Sequence, residues 1–402
     1  MQNLDDYRKI VGEEVISSLY KKARTLYDHK VININSTYYG GGVAEILNTL
    51  VPLMNDAGVS ADWRILRGTP DFFDITKKFH NGLQGAKVNL TQIKKNLYTQ
   101  ASQTFASYCR LDDDCIIIHD PQPLPLVNYL RKRQPWVWRC HIDLTNPNTR
   151  LWEYLKSFIL KYDLVIVSNP AYRRDDLPVL QRVINPAIDP LSPKNMQLNG
   201  NMVEKYLEKF GVPTDKPVLC QVSRFDIWKD PMGVVEIFEK VRRKVDCRLV
   251  LCGSMAADDP EGRQIYDEVV ERAKDLIESG DAVFITSENN ILVNVLQRSS
   301  AVIIQKSTRE GFGLTVTEAL WKAKPVVASS VGGISLQIED GETGFLLDPG
   351  DTDGFVDRIV EILKSPALGD EVGKKAREVV REKFLITRLL SDYLDLINDI
   401  MK

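Results

Sequence analysis

Short, mostly apolar runs recur along the chain, with longer stretches of helical periodicity between them. Val31 to Ile34, Cys115 to Ile118, Trp136 to Cys140 and Leu164 to Val167 form one series, with weaker runs at Trp63 to Leu66 and Arg182 to Ile184. A second series comprises Val218 to Val222, Arg248 to Cys252, Ala282 to Ile285, Ala301 to Ile304, Pro325 to Ala328 and Gly344 to Leu347. Runs this short, without polar alternation, fit strands buried on both faces, and such strands belong to parallel sheets. The stretches between them place apolar residues three and four apart, as from Val43 to Leu50. Leu4, Ile10, Val11, Val15, Leu19, Ala23 and Leu26 predict one long amphipathic helix over 4–27, and two helices close the chain at 369–383 and 387–401. Strand and helix in alternation predict an α/β protein of two doubly wound parallel sheets.

The two series are separated by Asn185 to Gly200, where Pro186, Pro190 and Pro193 stand among asparagines. That composition suits a domain boundary. The expected domains are 1–187 and 188–384, with the last helix, about 385–402, packing back on the first. One connection breaks the rhythm. Arg67 to Arg110 is polar and too long for a simple crossover, which predicts a lid or specificity segment.

Composition narrows the partner more than the fold. The 402 residues are 44% hydrophobic and 27% charged, with 52 basic against 55 acidic groups and a net charge of -3. Without a long single-sign block, neither nucleic acid nor an anionic membrane is an expected partner, and a small molecule is. Met1 to Gly12 carries Asp5, Asp6, Arg8 and Lys9 and has no apolar core, so it does not read as a secretory signal, and a cytoplasmic location is expected. The six cysteines include no Cys-x-x-Cys pair and sit mostly in apolar runs, as reduced core residues would.

Candidate chemistry gathers where strands end. In Arg309 to Glu318, Glu310 and Glu318 flank a Gly-Phe-Gly turn between the strand at 301–304 and a helix start. Such a loop offers backbone N–H groups to phosphate or sugar oxygens, and Gly311 and Gly313 let the backbone come close. Gly40, Gly41 and Gly42 form a glycine loop after the first strand. Two successive strands end in His-plus-Asp tips, His119-Asp120 and His141-Ile142-Asp143, at the edge where open α/β sheets bind ligands. After the strand at 218–222, Asp230 as cap and Pro231 as first helical residue leave Arg224 and Lys229 in the loop above the sheet. Two cations there suit a diphosphate. Asp112 to Asp114 precedes its strand and reads as a solvated turn, so no metal site is expected.

With these motifs assembled, the chain resembles, over nearly its whole length, the retaining glycosyltransferases of family 4, and within them the trehalose glycosyltransferring synthases. The family-level motifs are Val222-Ser-Arg-Phe with Trp228-Lys-Asp, Arg309 to Ala319, and Gly341-Glu-Thr-Gly-Phe345. The narrower ones are Gly40 to Glu45, Thr76 to Gly85, His119-Asp-Pro-Gln122 and Trp138 to Asp143. The resemblance implies the GT-B fold, two Rossmann-like domains facing across a cleft, and transfer of glucose from an NDP-glucose to glucose to give α,α-trehalose.

It further implies that Arg224 and Lys229 bind the donor diphosphate and Glu318 the ribose. Glu310 and the backbone at Gly313, Leu314 and Thr315 would contact the donor sugar, with Gly41 and Gly42 approaching from the other domain. Asp120 and His141 would face the acceptor and donor sugars, His141 joining Glu310, Arg224 and Lys229 as catalytic groups. Gln122, His80, Asn81 and Gln84 are further candidates for acceptor hydroxyls. NDP-glucose is a substrate, so no cofactor is required and magnesium is not implied; a homo-oligomer stays open. The motifs name no base, leaving UDP-, ADP- and GDP-glucose as donors. Other functions fit the same residues: a trehalose phosphorylase or another family 4 NDP-sugar glycosyltransferase, and a non-catalytic cytoplasmic sugar or nucleotide sensor.

Overall fold

The computed structural model describes residues 3–253 and 260–401. The chain forms two compact units, Met1–Ala187 with Phe384–Lys402, and Ile188–Lys383. Each holds one six-stranded, all-parallel sheet.

In the first unit the strands are β1 (Lys30–Asn35), β2 (Ser60–Ile65), β3 (Cys115–His119), β4 (Trp136–Arg139), β5 (Leu164–Val167) and β6 (Leu180–Val183). They lie in the order β2-β1-β3-β4-β5-β6. The helices before β6 are α1 (Arg8–Val11), α2 (Glu13–Ala23), α3 (Gly42–Asp56), α4 (Pro70–Leu83), α5 (Gln92–Tyr108) and α6 (Thr149–Ile159). Alternate strand residues point to opposite faces. Ile32, Ile34, Ile116, Ile118, Trp136 and Trp138 therefore join one core with Phe72 and Phe79 of α4, Tyr98 of α5 and Trp152 of α6. Each such side chain contributes roughly 1.5–3 kcal/mol by leaving water. Asn33, His119 and Arg139 have the opposite parity, and all three are buried.

Two expectations are corrected in this unit. The helix predicted over 4–27 is broken: Gly12, at φ +87°, separates α1 from α2, and 3-10 turns occupy Leu4–Tyr7 and Arg24–Leu26. Glycine adopts that backbone without a Cβ clash, so the apolar stripe restarts on a new axis. The segment Arg67 to Arg110 is α4 and α5, a layer of the core, because Phe72, Ile75, Phe79, Leu83, Tyr98 and Phe105 supply it with a buried face.

The second unit contains β7 (Val218–Val222), β8 (Arg248–Cys252), β9 (Ala282–Ile285), β10 (Val302–Gln305), β11 (Val326–Ser329) and β12 (Phe345–Leu347), in the order β12-β11-β10-β7-β8-β9. Its helices are α7 (Gly200–Lys209), α8 (Pro231–Arg242), α9 (Pro260–Arg272), α10 (Lys274–Glu278), α11 (Asn290–Ser299), α12 (Leu314–Trp321), α13 (Thr352–Lys364) and α14 (Pro366–Lys383). The last helix, α15 (Ile386–Ile400), belongs to the first unit. Arg388 fastens it there by donating to the carbonyl of Asn185 (2.8 Å).

All six cysteines are buried thiols. Among the described residues no helix is long and apolar enough to cross a membrane. Each sheet reverses its winding once, between β1 and β3 in the first unit and between β7 and β10 in the second. Ligands of open α/β sheets bind beyond the carboxyl ends of the strands at such a reversal.

Candidate active site

In the second unit that reversal brings together the loop after β7 and the loop after β10. Gln221 at the end of β7 ties them, donating to the carbonyl of Lys229 (3.1 Å) and accepting from the backbone N–H of Lys306 (3.0 Å). Thr308 N–H adds a bond to the carbonyl of Trp228 (2.8 Å). Asp226 folds the first loop into a turn by accepting from the N–H groups of Trp228 (3.0 Å) and Lys229 (3.2 Å). Asp230 follows in the left-handed region at φ +44° and caps α8 by accepting from Gly233 N–H (3.0 Å). Pro231 opens that helix, as its fixed φ suits.

The charged side chains form pairs across this frame. Lys229 pairs with Glu310, and Lys306 with Asp230. Lys229 and Glu310 keep only 13% and 12% of their side-chain surface, so Lys229 stands in the loop above the sheet largely buried. Arg224 does stand out, 55% exposed, with Asp226 Oδ2 3.0 Å from its guanidinium. Gly313 reaches φ +86° to start α12, and a Cβ there would come within 3.2 Å of the Glu310 side chain.

Glu318 lies in α12 with 2% of its side chain exposed and Oε1 3.6 Å from Lys194 Nζ. One turn later Lys322 Nζ donates to Gln297 Oε1 (2.8 Å), Asn195 Oδ1 (2.9 Å) and the carbonyl of Glu318 (3.1 Å). Burial pulls the Lys322 ammonium down to about 7, against the attraction of Glu318. Gln297 also donates to the carbonyl of Thr315 (3.1 Å), so one network holds both ends of the helix start.

In the first unit Gly40 and Gly41 take φ +73° and +82° ahead of α3, and Gly42 is its first residue. No atom lies within 4 Å of a Cβ built on either, so these glycines are needed for their backbone and not for packing. Asp120 also takes a left-handed backbone, φ +61°. Three bonds hold it there. Its N–H donates to the Arg139 carbonyl (2.8 Å), its carbonyl accepts from Trp138 Nε1 (3.0 Å), and Oδ1 accepts from His141 N–H (2.8 Å). Loss of water pushes the Asp120 carboxyl up to about 6, against that bond and the Arg139 charge.

His141 Nε2 lies 3.1 Å from His119 Nδ1, and His119 Nε2 lies 3.0 Å from Asn33 Oδ1. Burial, with Arg139 nearby, lowers His119 to about 3 and His141 well below its usual range, so both rings are neutral. His80, Asn81 and Gln84 close α4, whose Gly82 carbonyl accepts from Asn148 N–H (2.8 Å) in the loop that follows β4 and carries His141. That loop and the end of α4 are neighbours. Gln122 sits in the turn after Asp120. Among the described residues, no three His, Cys, Asp or Glu side chains are grouped to hold a metal.

Residues 33–174 match the family described as Trehalose synthase, N-terminal domain, and residues 202–379 match Glycosyl transferases group 1. A trehalose synthase of Thermococcus litoralis is 45% identical over 99% of this chain and 97% of its own. The chain belongs to the trehalose synthase family. A second member of that family, from Rubrobacter xylanophilus, is 42% identical over 98% of this chain and 96% of its own. A trehalose phosphorylase of Pleurotus pulmonarius is 29% identical over 95% of this chain, which spans 59% of that protein. The fold is GT-B. A solved UDP-forming α,α-trehalose-phosphate synthase of Burkholderia xenovorans, in complex with glucose-6-phosphate, aligns with a TM-score of 0.74 at 13% identity, over 93% of this chain and all of that one. The trehalose synthase family thus supplies the class of activity, a trehalose-related glycosyltransferase.

Sequence reasoning missed several groups that the folded chain sets around these residues. Lys306 follows β10 directly, a strand-end cation that could have been found by the rule applied to Arg224. Asn33 and Arg139 are polar residues inside strands, where each breaks an apolar run, and that interruption was the available signal. Lys194 gives none, because it lies in the Pro-rich connection and reaches Glu318 only through the fold.

Proposed function

We propose that this chain is a retaining glucosyltransferase that joins NDP-glucose to glucose and releases α,α-trehalose and NDP. The observation that carries the reading is the pairing of Lys229 with Glu310 at the reversal of the second sheet, where an ammonium and a carboxylate share one loop junction. Breaking the anomeric C–O bond puts negative charge on the diphosphate and positive charge on the sugar ring. Arg224 and Lys229 meet the first, Glu310 the second, and Glu318 holds the ribose.

The backbone at Gly313, Leu314 and Thr315 serves the donor sugar, as do Gly41 and Gly42. His141 contacts the donor sugar; Asp120, with Gln122, His80, Asn81 and Gln84, serves the acceptor. Glu310, tied to Lys229, suits a countercharge better than a nucleophile, which favours attack on the face the diphosphate leaves, with that phosphate taking the acceptor's proton. The two cations do the electrostatic work at the leaving group, so no metal cofactor is needed.

Incubation with UDP-, ADP- and GDP-glucose, with and without glucose, tests this. NDP release that requires glucose, with a non-reducing disaccharide as product, supports it. Phosphate-dependent cleavage of trehalose without nucleotide, the activity named for the Pleurotus relative, overturns it in favour of a phosphorylase.

A further inference from the structure

The centroids of His119 and His141 are 5.4 Å apart and their planes lie within 16° of parallel. With His119 Nδ1 3.1 Å from His141 Nε2, that separation equals the N–N contact plus one ring radius at either end. The rings therefore meet edge to edge, with the hydrogen bond along the line of centres, and are not piled face to face. One proton lies between them, because both rings are neutral and an imidazole nitrogen either donates or accepts.

Which ring owns that proton is decided at the far end of the chain of contacts. Asn33 Oδ1 can only accept, so His119 Nε2 carries its hydrogen and His119 Nδ1 is left as a lone pair. His141 Nε2 must then be the donor to it. The remaining nitrogen of His141, Nδ1, keeps an unshared pair. Asn33 Nδ2 is buried without a hydrogen-bond partner, and the amide meets His119 through Oδ1. The reversed amide would invert both rings and make His141 Nδ1 a donor.

We propose that His119 is a positioning residue which, with Asn33, fixes His141 as the Nε2–H tautomer, so that His141 meets a sugar hydroxyl through Nδ1 as an uncharged acceptor. The contact with sugar rests on the glucosyl-transfer reading, whereas the tautomer rests on Asn33, His119 and His141 alone. A neutral acceptor has a clear use: it orients a hydroxyl without adding positive charge beside a ring that becomes cationic. A positive charge there would oppose the reaction.

The protein contains four histidines, so nitrogen-15 labelling of histidine gives a spectrum that can be assigned ring by ring. At pH 7 the expected spectrum has His119 and His141 both protonated at Nε2 and bare at Nδ1. His119→Leu removes the acceptor for His141 Nε2–H, whereas His119→Gln can restore one through its amide oxygen. The expected kcat/KM for trehalose formation is down on the order of ten-fold in His119→Leu and recovers to within about three-fold in His119→Gln, with NDP affinity unchanged in both. An Nδ1–H or doubly protonated His141 in the full-length protein overturns the proposal even where a variant fails to fold. So does a His119→Leu variant that keeps full kcat/KM. The expected spectrum in a protein that makes no trehalose supports the fixed tautomer and overturns the transfer reaction instead.

Discussion

Lys229 and Glu310, 81 residues apart in sequence, meet as an ion pair that joins the loops after β7 and β10. The cation proposed for the diphosphate and the carboxylate proposed for the sugar ring thus share one interaction. In the proposed reaction, charge growing on a leaving diphosphate would draw the ammonium to it and free Glu310 to face the cationic ring. Both halves of the charge separation are then met by one rearrangement.

Arg224→Ala and Lys229→Ala are expected to part company in stability. Arg224 is 55% exposed and its partner Asp226 still accepts from the N–H groups of Trp228 and Lys229, so loss of Arg224 is expected to cost NDP affinity about 10- to 150-fold, as a charge-assisted contact does, and to lower the melting temperature less than loss of Lys229. Removing Lys229 takes the partner ammonium from a largely buried Glu310, a change that typically costs about 3–5 kcal/mol when the pair is fully buried and less here. Calorimetric titration with NDP and thermal melts of both variants check this. Equal melting temperatures would show that the pair adds nothing to the fold.

Glu318→Gln and Glu310→Gln separate the two carboxylates. Glu318 is held rigidly in α12, near Lys194, and a ribose contact made alike in ground and transition states alters mainly KM. In the proposed reaction Glu310 acts most when the ring is cationic, so its variant is expected to lower kcat, with a smaller loss of NDP affinity through Lys229. Steady-state kinetics with NDP titration decide the matter, and the reverse pattern would exchange the two roles.

Much of this architecture is legible in the sequence, for a physical reason. Parallel strands covered on both faces need continuous apolar runs, so β3, β5, β7 and β8 announce themselves, and the loops after β7 and β10 stand out because charge and glycine interrupt those runs. The partners of those charges are not legible. Nothing local pairs Lys229 with Glu310 and not with Asp226, or sets Asn33 against His119, since strand order makes those contacts. The break at Gly12 was hidden for a different reason: one glycine inside an amphipathic pattern costs only about 1 kcal/mol and reads as tolerated.

Lys322→Met is expected to raise donor KM about 3- to 10-fold with kcat preserved. The methionine fills much of the same volume but leaves Asn195, Gln297 and the Glu318 carbonyl without their shared donor, loosening the helix turn that carries Glu318. Buried acceptors lose their donor and buried Glu318 its nearby cation, so the melting temperature is expected to fall, with relief of the ammonium's own desolvation offsetting only part of the loss. A kcat loss at unchanged KM would place Lys322 nearer the chemistry than the ribose.

Acid sensitivity should trace to the neighbourhood of Arg139. His119 falls from an ordinary 6.5 to about 3 in the fold, and His141 is lowered by burial, Arg139 and His119. Below pH 6.5 the unfolded chain binds protons that these folded rings refuse, so their contribution is complete above that pH and declines as pH falls towards the folded values. His119 costs roughly 1.4 kcal/mol per pH unit in that window, and His141 adds a loss of the same sign. Asp120 acts the other way. Its folded value, about 6 against an ordinary 3.8, means that acidification from pH 7 to 5 protonates the folded carboxyl first and adds stability. Two rings outweigh one carboxyl, so the melting temperature is expected to fall between pH 7 and 5. The fall should be shallower in His119→Gln, which removes one titrating ring, and steeper in Asp120→Asn, which removes the compensating carboxyl. Melts of the three proteins at half-unit pH steps test the sign of each contribution; a wild-type curve flat over this range, or a steeper fall in His119→Gln, would show that the buried rings do not stay neutral.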